Sequence, residues 1–225
     1  MTNNQKEEHM DLIHLTTELE AAFHRLAGAD DASHDIHHAR RVKTVALEIA
    51  AEEGGDPAVI IAAAYLHDIV NLPKNHPDRS RASALSAEVA GPVLAELGLD
   101  EAQVKAAQHA ILTHSFSANI QPETIEARAI QDADRLEALG AIGIARVFVI
   151  AGQLGSTLFE GDDPFAQTRP LDDKRFAVDH FAVKLLRLPA TMQTEKGRAI
   201  AEARAQTMRN FLDALGEELG SPSPW

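Results

Sequence analysis

The chain contains no cysteine. That excludes disulfides, thiolate nucleophiles and zinc-thiolate sites, so any metal must be held by nitrogen and oxygen. It has no basic run, and its net charge is −13. A duplex nucleic-acid binder carries a basic stripe, and polybasic membrane attachment needs one too, so neither partner is expected. No apolar stretch is long enough to cross a bilayer, and the polar segment Met1 to Met10 does not read as a signal peptide. A soluble, cytoplasmic protein is the expectation. Sustained period-two alternation is absent, as are internal repeats, low-complexity segments and any clear domain boundary.

What the chain does have is histidine, eleven in all. His34, His37, His38, His67, His76, His109 and His114 fall between residues 34 and 114, whereas His9, His14, His24 and His180 have no clustered partners and read as surface residues. The most informative stretch is Ala62-Ala63-Ala64-Tyr65-Leu66-His67-Asp68-Ile69-Val70. Val59 to Leu66 has no polar face, so as a helix it reads as buried rather than amphipathic. Burying an ionisable pair at its end is costly unless a counter-charge or a metal ion compensates for the lost water.

Turn signals separate segments of helical periodicity, which predicts an all-α bundle. Residues 1–8 are expected to be disordered, 9–219 to form one helical domain and 220–225 a polar tail. Asp11 to Leu26 reads as a first helix. A second runs to about Glu53 and stops at Gly54-Gly55. In it His38, Val42, Val45 and Ile49 share one stripe, so His38 points inward and His37 outward. Asp56-Pro57 opens the buried helix, which ends near Val70. After a turn-rich loop, Asp78 or Ser80 can cap a helix with Ala82, Leu85, Val89 and Val93 inward, and Gly91-Pro92 is a candidate kink. Asp100 opens a helix to about His114, with His114 inward and His109 more exposed. Pro122 starts another that carries Ile125, Asp132, Asp134 and the small-residue segment Ala138 to Ala145. Residues 155–172 lack a helical pattern and read as either a lid or a surface excursion. Lys174 to Leu188 and Glu195 to Leu219 read as amphipathic helices.

The inward polar groups are His38, the His67-Asp68 pair, and Asp132 or Asp134. Two imidazoles and two carboxylates from three helices suit Mn²⁺, Fe²⁺, Co²⁺, Ni²⁺, Zn²⁺ or Mg²⁺. On chemistry alone a buried ion-pair cluster competes evenly with a metal site.

His38, His67-Asp68 and Ala133-Asp134-Arg135-Leu136 together resemble the H…HD…D signature of the HD-domain superfamily, all-α metal-dependent phosphohydrolases that include many nucleotide hydrolases. His34 to Val42 resembles the family's first helix, where a His precedes an Arg-Val pair, and the stretches His114 to Ser117 and Gln131 to Gly143 resemble a bacterial branch of small HD hydrolases. The resemblance covers about residues 30–150. It implies that one divalent ion is ligated by His38, His67, Asp68 and Asp134, with Asp134 preferred to Asp132 by its place before Arg135. Asp132 is then a candidate to orient a ligand from behind. One departure matters: nucleotidase and guanosine-tetraphosphate branches carry an acidic residue where this chain has Asn71, so their substrates and general acid do not transfer.

The implied reaction is hydrolysis of a nucleotide or small phosphate ester or anhydride by a metal-activated water, with Asp68 also a candidate proton acceptor. His114 could donate to a leaving oxygen or be a core histidine bonded to a carbonyl. Lys74, Arg79 and Arg81 are candidates to meet substrate phosphate, Lys74 foremost, against the plain reading of solvated charges. Arg135 admits pairing with a ligand aspartate or with substrate, and His34 and Asp35 read as helix caps. The alternative function is a non-catalytic ligand-sensing or interaction module with a structural metal. A third reading, oxygen chemistry on two irons, would need further ligands, for which only His109 and His114 are at hand.

Overall fold

The computed structural model describes residues 11–27, 35–72, 76, 78–115 and 120–225. His34, Lys74 and the N-terminal segment expected to be disordered lie outside them. The described residues contain no strand. A single isolated bridge pairs Thr157 with Phe176. No single described helix is long and apolar enough to cross a membrane. Contacts divide the chain into two compact units, Met1–Gln131 and Asp132–Trp225, with the division falling inside one helix.

The first unit holds α1 (Leu12–Leu26), α2 (Ile36–Glu53), α3 (Pro57–Leu66), α4 (Ala82–Glu96), α5 (Glu101–Thr113) and the beginning of α6 (Ile125–Leu136). Aspartates start the first three: Asp11, Asp35 and Asp56 each accept backbone N–H bonds from the first turn. Asp100 starts α5 in a capping box with Gln103. Every residue of α3 from Ala58 to Leu66 is buried, and α1, α2, α4 and α5 all pack against it. The one polar tip in that run is satisfied: Tyr65 donates to Glu20 at 2.6 Å, and Glu20 also takes a two-pronged bond from Arg40 at 2.8 and 2.7 Å. Arg40, foremost, holds the Glu20 carboxyl down at about 2.

Several local expectations are corrected. α3 stops at Leu66, and His67 is its C-cap. A 3-10 turn, Arg79–Arg81, intervenes before α4, so the residue at its N-cap is Arg81 rather than Asp78 or Ser80. The buried face of α4 is Ser83, Ser86, Ala87, Ala90, Gly91 and Leu94, while Val89 is exposed. Small residues win because α4 lies close on α5: a Cβ on Gly91 would overlap the Gln108 carboxamide. The helix runs unbroken through Pro92.

The second unit contains the end of α6, then α7 (Gly140–Leu154), α8 (Asp179–Val183), a 3-10 segment Leu185–Thr191 and α9 (Glu195–Leu219). The segment read as one helix from Pro122 to Ala145 is thus two. It breaks at Glu137 to Leu139, and Gly140 follows at φ 69°, a conformation that disfavours side chains. Lys174 to Leu188 forms turns and the short α8 instead of an amphipathic helix. Phe148, Phe181 and Phe211 pack with centroids 5.8 to 6.3 Å apart.

Residues 155–172 have no helix, but they are closely bonded. Asp163 accepts backbone bonds from Gln167, Thr168 and Arg169. Arg169 grips the fully buried Asp179 through two bonds of 2.6 and 2.8 Å. Phe165 is fully buried and meets Trp225 at 5.6 Å, so the C-terminal tail is packed down. His180, read as a partnerless surface residue, pairs with Asp173 at 2.8 Å.

Arg169→Ala would strand the Asp179 carboxylate, and breaking a buried pair from one side costs about 3–5 kcal/mol; a drop of that size is expected in denaturant unfolding. Glu20 gives an acid-limb test. Its pKa falls from 4.5 to about 2 on folding, so its contribution is complete above pH 4.5 and vanishes as pH falls to about 2. The stability gap between wild type and Glu20→Gln should close across that window.

Candidate metal centre

The His67-Asp68 pair sits where α3 ends, because the chain turns there and lets two polar side chains leave an apolar helix. The turn is braced from α4. Ser86 Oγ accepts from Val70 N at 3.1 Å, and Arg79 Nη1 donates to Asn71 Oδ1 at 2.7 Å and to the Leu72 carbonyl. Arg79 therefore uses that nitrogen to hold the loop. Arg81 is exposed.

His38 reaches the pair from the first turn of α2 and is 2 % exposed. Asp35 sets its register by accepting the His38 backbone N–H at 2.8 Å. The His38 and His67 Nε2 atoms stand 3.1 Å apart. His114, the C-cap of α5, comes from the other side: its Nε2 is 3.3 Å from Asp68 Oδ1, while His67 Nε2 is 3.4 Å from Asp68 Oδ2. His67, Asp68 and His114 offer ligand atoms within 4.8 Å of one another. His67 and His114 are buried, whereas Asp68 is partly open to solvent.

The tautomers follow from the other ring nitrogens. His67 Nδ1 lies 2.9 Å from the Ala64 carbonyl and His114 Nδ1 2.6 Å from the Ile111 carbonyl. A carbonyl only accepts, so each Nδ1 carries a proton, and in the neutral ring Nε2 then presents a lone pair. Lone pairs of two imidazoles thus face a carboxylate. A salt bridge from a protonated ring would draw in to about 2.7–2.9 Å, well inside the observed 3.3 and 3.4 Å. Two ligands each about 2.0–2.2 Å from one ion stand roughly 2.8–3.6 Å apart at right-angle to tetrahedral openings. The His38–His67 and His67–Asp68 separations of 3.1 and 3.4 Å fall within that range. This donor set fits a divalent cation better than it fits an ion-pair cluster. Carbonyl bonds behind the rings are the usual way of fixing ligand imidazoles.

The two aspartates of α6 differ sharply within the second unit. Asp132 is fully buried, and its carboxylate accepts from Gln193 N, Thr194 N and Thr194 Oγ1 at 2.8 to 3.1 Å. It anchors the start of α9, and a Cβ on Gly197 would overlap it. Burial pushes the Asp132 carboxyl up against those donors. Asp134 is half-buried in the last turn of α6. Burial pulls the neighbouring Arg135 guanidinium down, opposed by Asp132 and Asp134, and Arg135 donates to the Thr191 carbonyl at 2.7 Å. His109 stands apart in role, accepting from Glu123 N at 3.0 Å. The sequence did not reveal Ser86, because a serine among alanines and valines carries no signal until the loop it holds is known.

A family model for the HD domain matches residues 35–139. The Bacillus subtilis (strain 168) protein YpgQ is 34% identical over 194 residues, covering 84% of this chain and 86% of its own length. The crystal structure of Bacillus subtilis YpgQ in complex with ADP superimposes with a TM-score of 0.71 at 30% identity, covering 92% of this chain and 95% of that one. An HD-superfamily hydrolase from Bacillus thuringiensis gives a TM-score of 0.71 at 30% identity, covering 93% and 96%. The chain belongs to the HD-domain superfamily, and by sequence and fold it groups with that superfamily's hydrolases.

Adding Mn²⁺ or Zn²⁺ to metal-stripped protein should raise its stability, by about 2.7 kcal/mol at a free concentration a hundred times the Kd. A chelator should reverse the gain, and His67→Ala should abolish it. A thermal shift that persists in His67→Ala would argue for metal binding elsewhere.

Proposed function

We propose that the protein is a metal-dependent phosphohydrolase acting on a nucleotide or a small phosphate ester or anhydride. The observation that carries this reading is the convergence of the His67 and His114 lone pairs on Asp68, with His38 alongside. His38, His67 and Asp68 would hold one divalent ion. The family resemblance adds Asp134 as fourth ligand, a choice supported by Asp132 having both oxygens occupied at the start of α9. Such an ion lowers the pKa of bound water from about 15.7 toward about 7 and polarises a phosphoryl oxygen.

The residues themselves supply the proton path. Asp68 Oδ1 takes the proton from the attacking water, and His114 Nε2, 3.3 Å away, can receive it. His114 then carries the proton toward the leaving oxygen. Its Nδ1 bond to the Ile111 carbonyl keeps the ring oriented in both states. The ring's burial excludes bulk water from that path, while the partly open Asp68 leaves a side for substrate. Lys74 and Arg81 remain candidates to meet phosphate charge. The ADP complex of Bacillus subtilis YpgQ, a relative of matching fold, supports a nucleotide as the ligand.

The test is phosphate release from a panel of nucleotides and simple phosphate esters, with Mn²⁺, Co²⁺ or Mg²⁺ added to stripped protein. Turnover is expected with at least one ion, and Asp68→Ala should lose both activity and bound metal. His114→Ala should keep the metal and lose about 10²–10⁴-fold in kcat. Absence of turnover on every phosphoester by fully loaded protein would sink the reading.

A further inference from the structure

The end of α5 is where His114 is aimed, and its construction is unusual. The last carbonyls of a helix have no intrahelical donor and need partners from elsewhere. Here side chains supply them. His114 Nδ1 donates to the Ile111 carbonyl at 2.6 Å, Gln131 Nε2 to the Thr113 carbonyl at 2.7 Å, and Thr113 Oγ1 lies 3.5 Å from the Ala110 carbonyl. Of these donors, Gln131 is the one from a different helix. Its bond lands on the peptide joining Thr113 to His114, the hinge about which the His114 backbone would swing.

Gln131 is 3 % exposed and Thr113 is fully buried, so water does not compete for this bond. The other end of the carboxamide is left over: Gln131 Oε1 is buried with no hydrogen-bond partner among the described residues. A buried acceptor without a donor is unfavourable, and a side chain serving only to tie two helices would ordinarily satisfy both ends. An apolar residue of similar length would pack α6 against α5 without leaving that acceptor stranded. The retained amide therefore marks a need for its N–H at this one carbonyl.

We infer that Gln131 is a positioning residue for His114: by holding the Thr113–His114 peptide it fixes where His114 Nε2 meets Asp68 Oδ1. This rests on the phosphohydrolase reading for its effect on rate, but not for its effect on the His114 ring. Gln131→Met keeps the length and removes the donor. With the metal-loaded enzyme, kcat should fall about 10–100-fold, as for other groups that orient an active-site imidazole. KM and bound metal should stay within about twofold.

The deciding comparison is a double-mutant cycle. Because Gln131 acts through His114, Gln131→Met added to His114→Ala should cost little more than His114→Ala alone. Additive losses, or a kcat loss accompanied by loss of metal, would overturn the assignment. A second readout needs no turnover. In the imidazole carbon–proton NMR spectrum of the stripped protein, Gln131→Met should shift or broaden the His114 resonance and leave those of His38 and His67 in place. Equal movement of all three would indicate general loosening, and no movement would mean the bond positions nothing; either defeats the inference. A selective His114 change in a protein that hydrolyses no phosphoester would retain the positioning role and defeat the phosphohydrolase reading instead.

Discussion

Lone pairs held facing one another in a dry place are unfavourable, and the first unit is built around such an arrangement. α3 is buried from Ala58 to Leu66 and ends in a histidine and an aspartate. Packing on every side of α3 shields His67 from water and leaves Asp68 partly open, while α2 and α5 deliver His38 and His114 to the same spot. The hydrophobic effect that stabilises the unit thus also gathers polar groups able to hold a cation at its end. Carbonyls of Ala64 and Ile111 hold the Nδ1 protons on the far side, so each Nε2 is turned toward the Asp68 carboxylate.

The same physics gives opposite outcomes for two nearby acids. Asp132 and Asp134 both lie in an apolar stretch of α6. Asp132 is closed off by donors from Gln193 and Thr194, which turns a buried carboxylate into an anchor for α9. Asp134, half-buried one turn from Ile130, has a more open setting. Burial and polarity alone do not distinguish an anchor from a ligand. For Asp132 the anchoring role follows from its backbone donors, which lie some sixty residues away in sequence.

Much of the first unit was legible in the chain. Aspartate caps, Pro57 at the start of α3 and the glycines after α2 set helix limits that agree with the structure to within a few residues. The inward turn of His38 and of His114 followed from stripes of three and four. The face of α4 was misread because hydropathy favoured Leu85 and Val89, whereas close approach to α5 favoured serine, alanine and glycine. Residues 174–188 were misread because helical periodicity survives in turns that tertiary bonds such as Arg169 to Asp179 impose.

By itself the sequence determined the all-α class, the HD-domain resemblance and the residue types able to hold a divalent ion, because periodicity and caps are local properties. Tertiary structure alone decided the remainder. It set which nitrogen of each ring turns to a carbonyl, that Arg79 and Ser86 brace the loop after the pair, that Asp132 faces α9, and that Gln131 holds the peptide leading to His114. Each of these depends on a partner tens of residues away or on a carbonyl whose direction exists only once the helix has formed, and neither leaves a periodic trace in the chain.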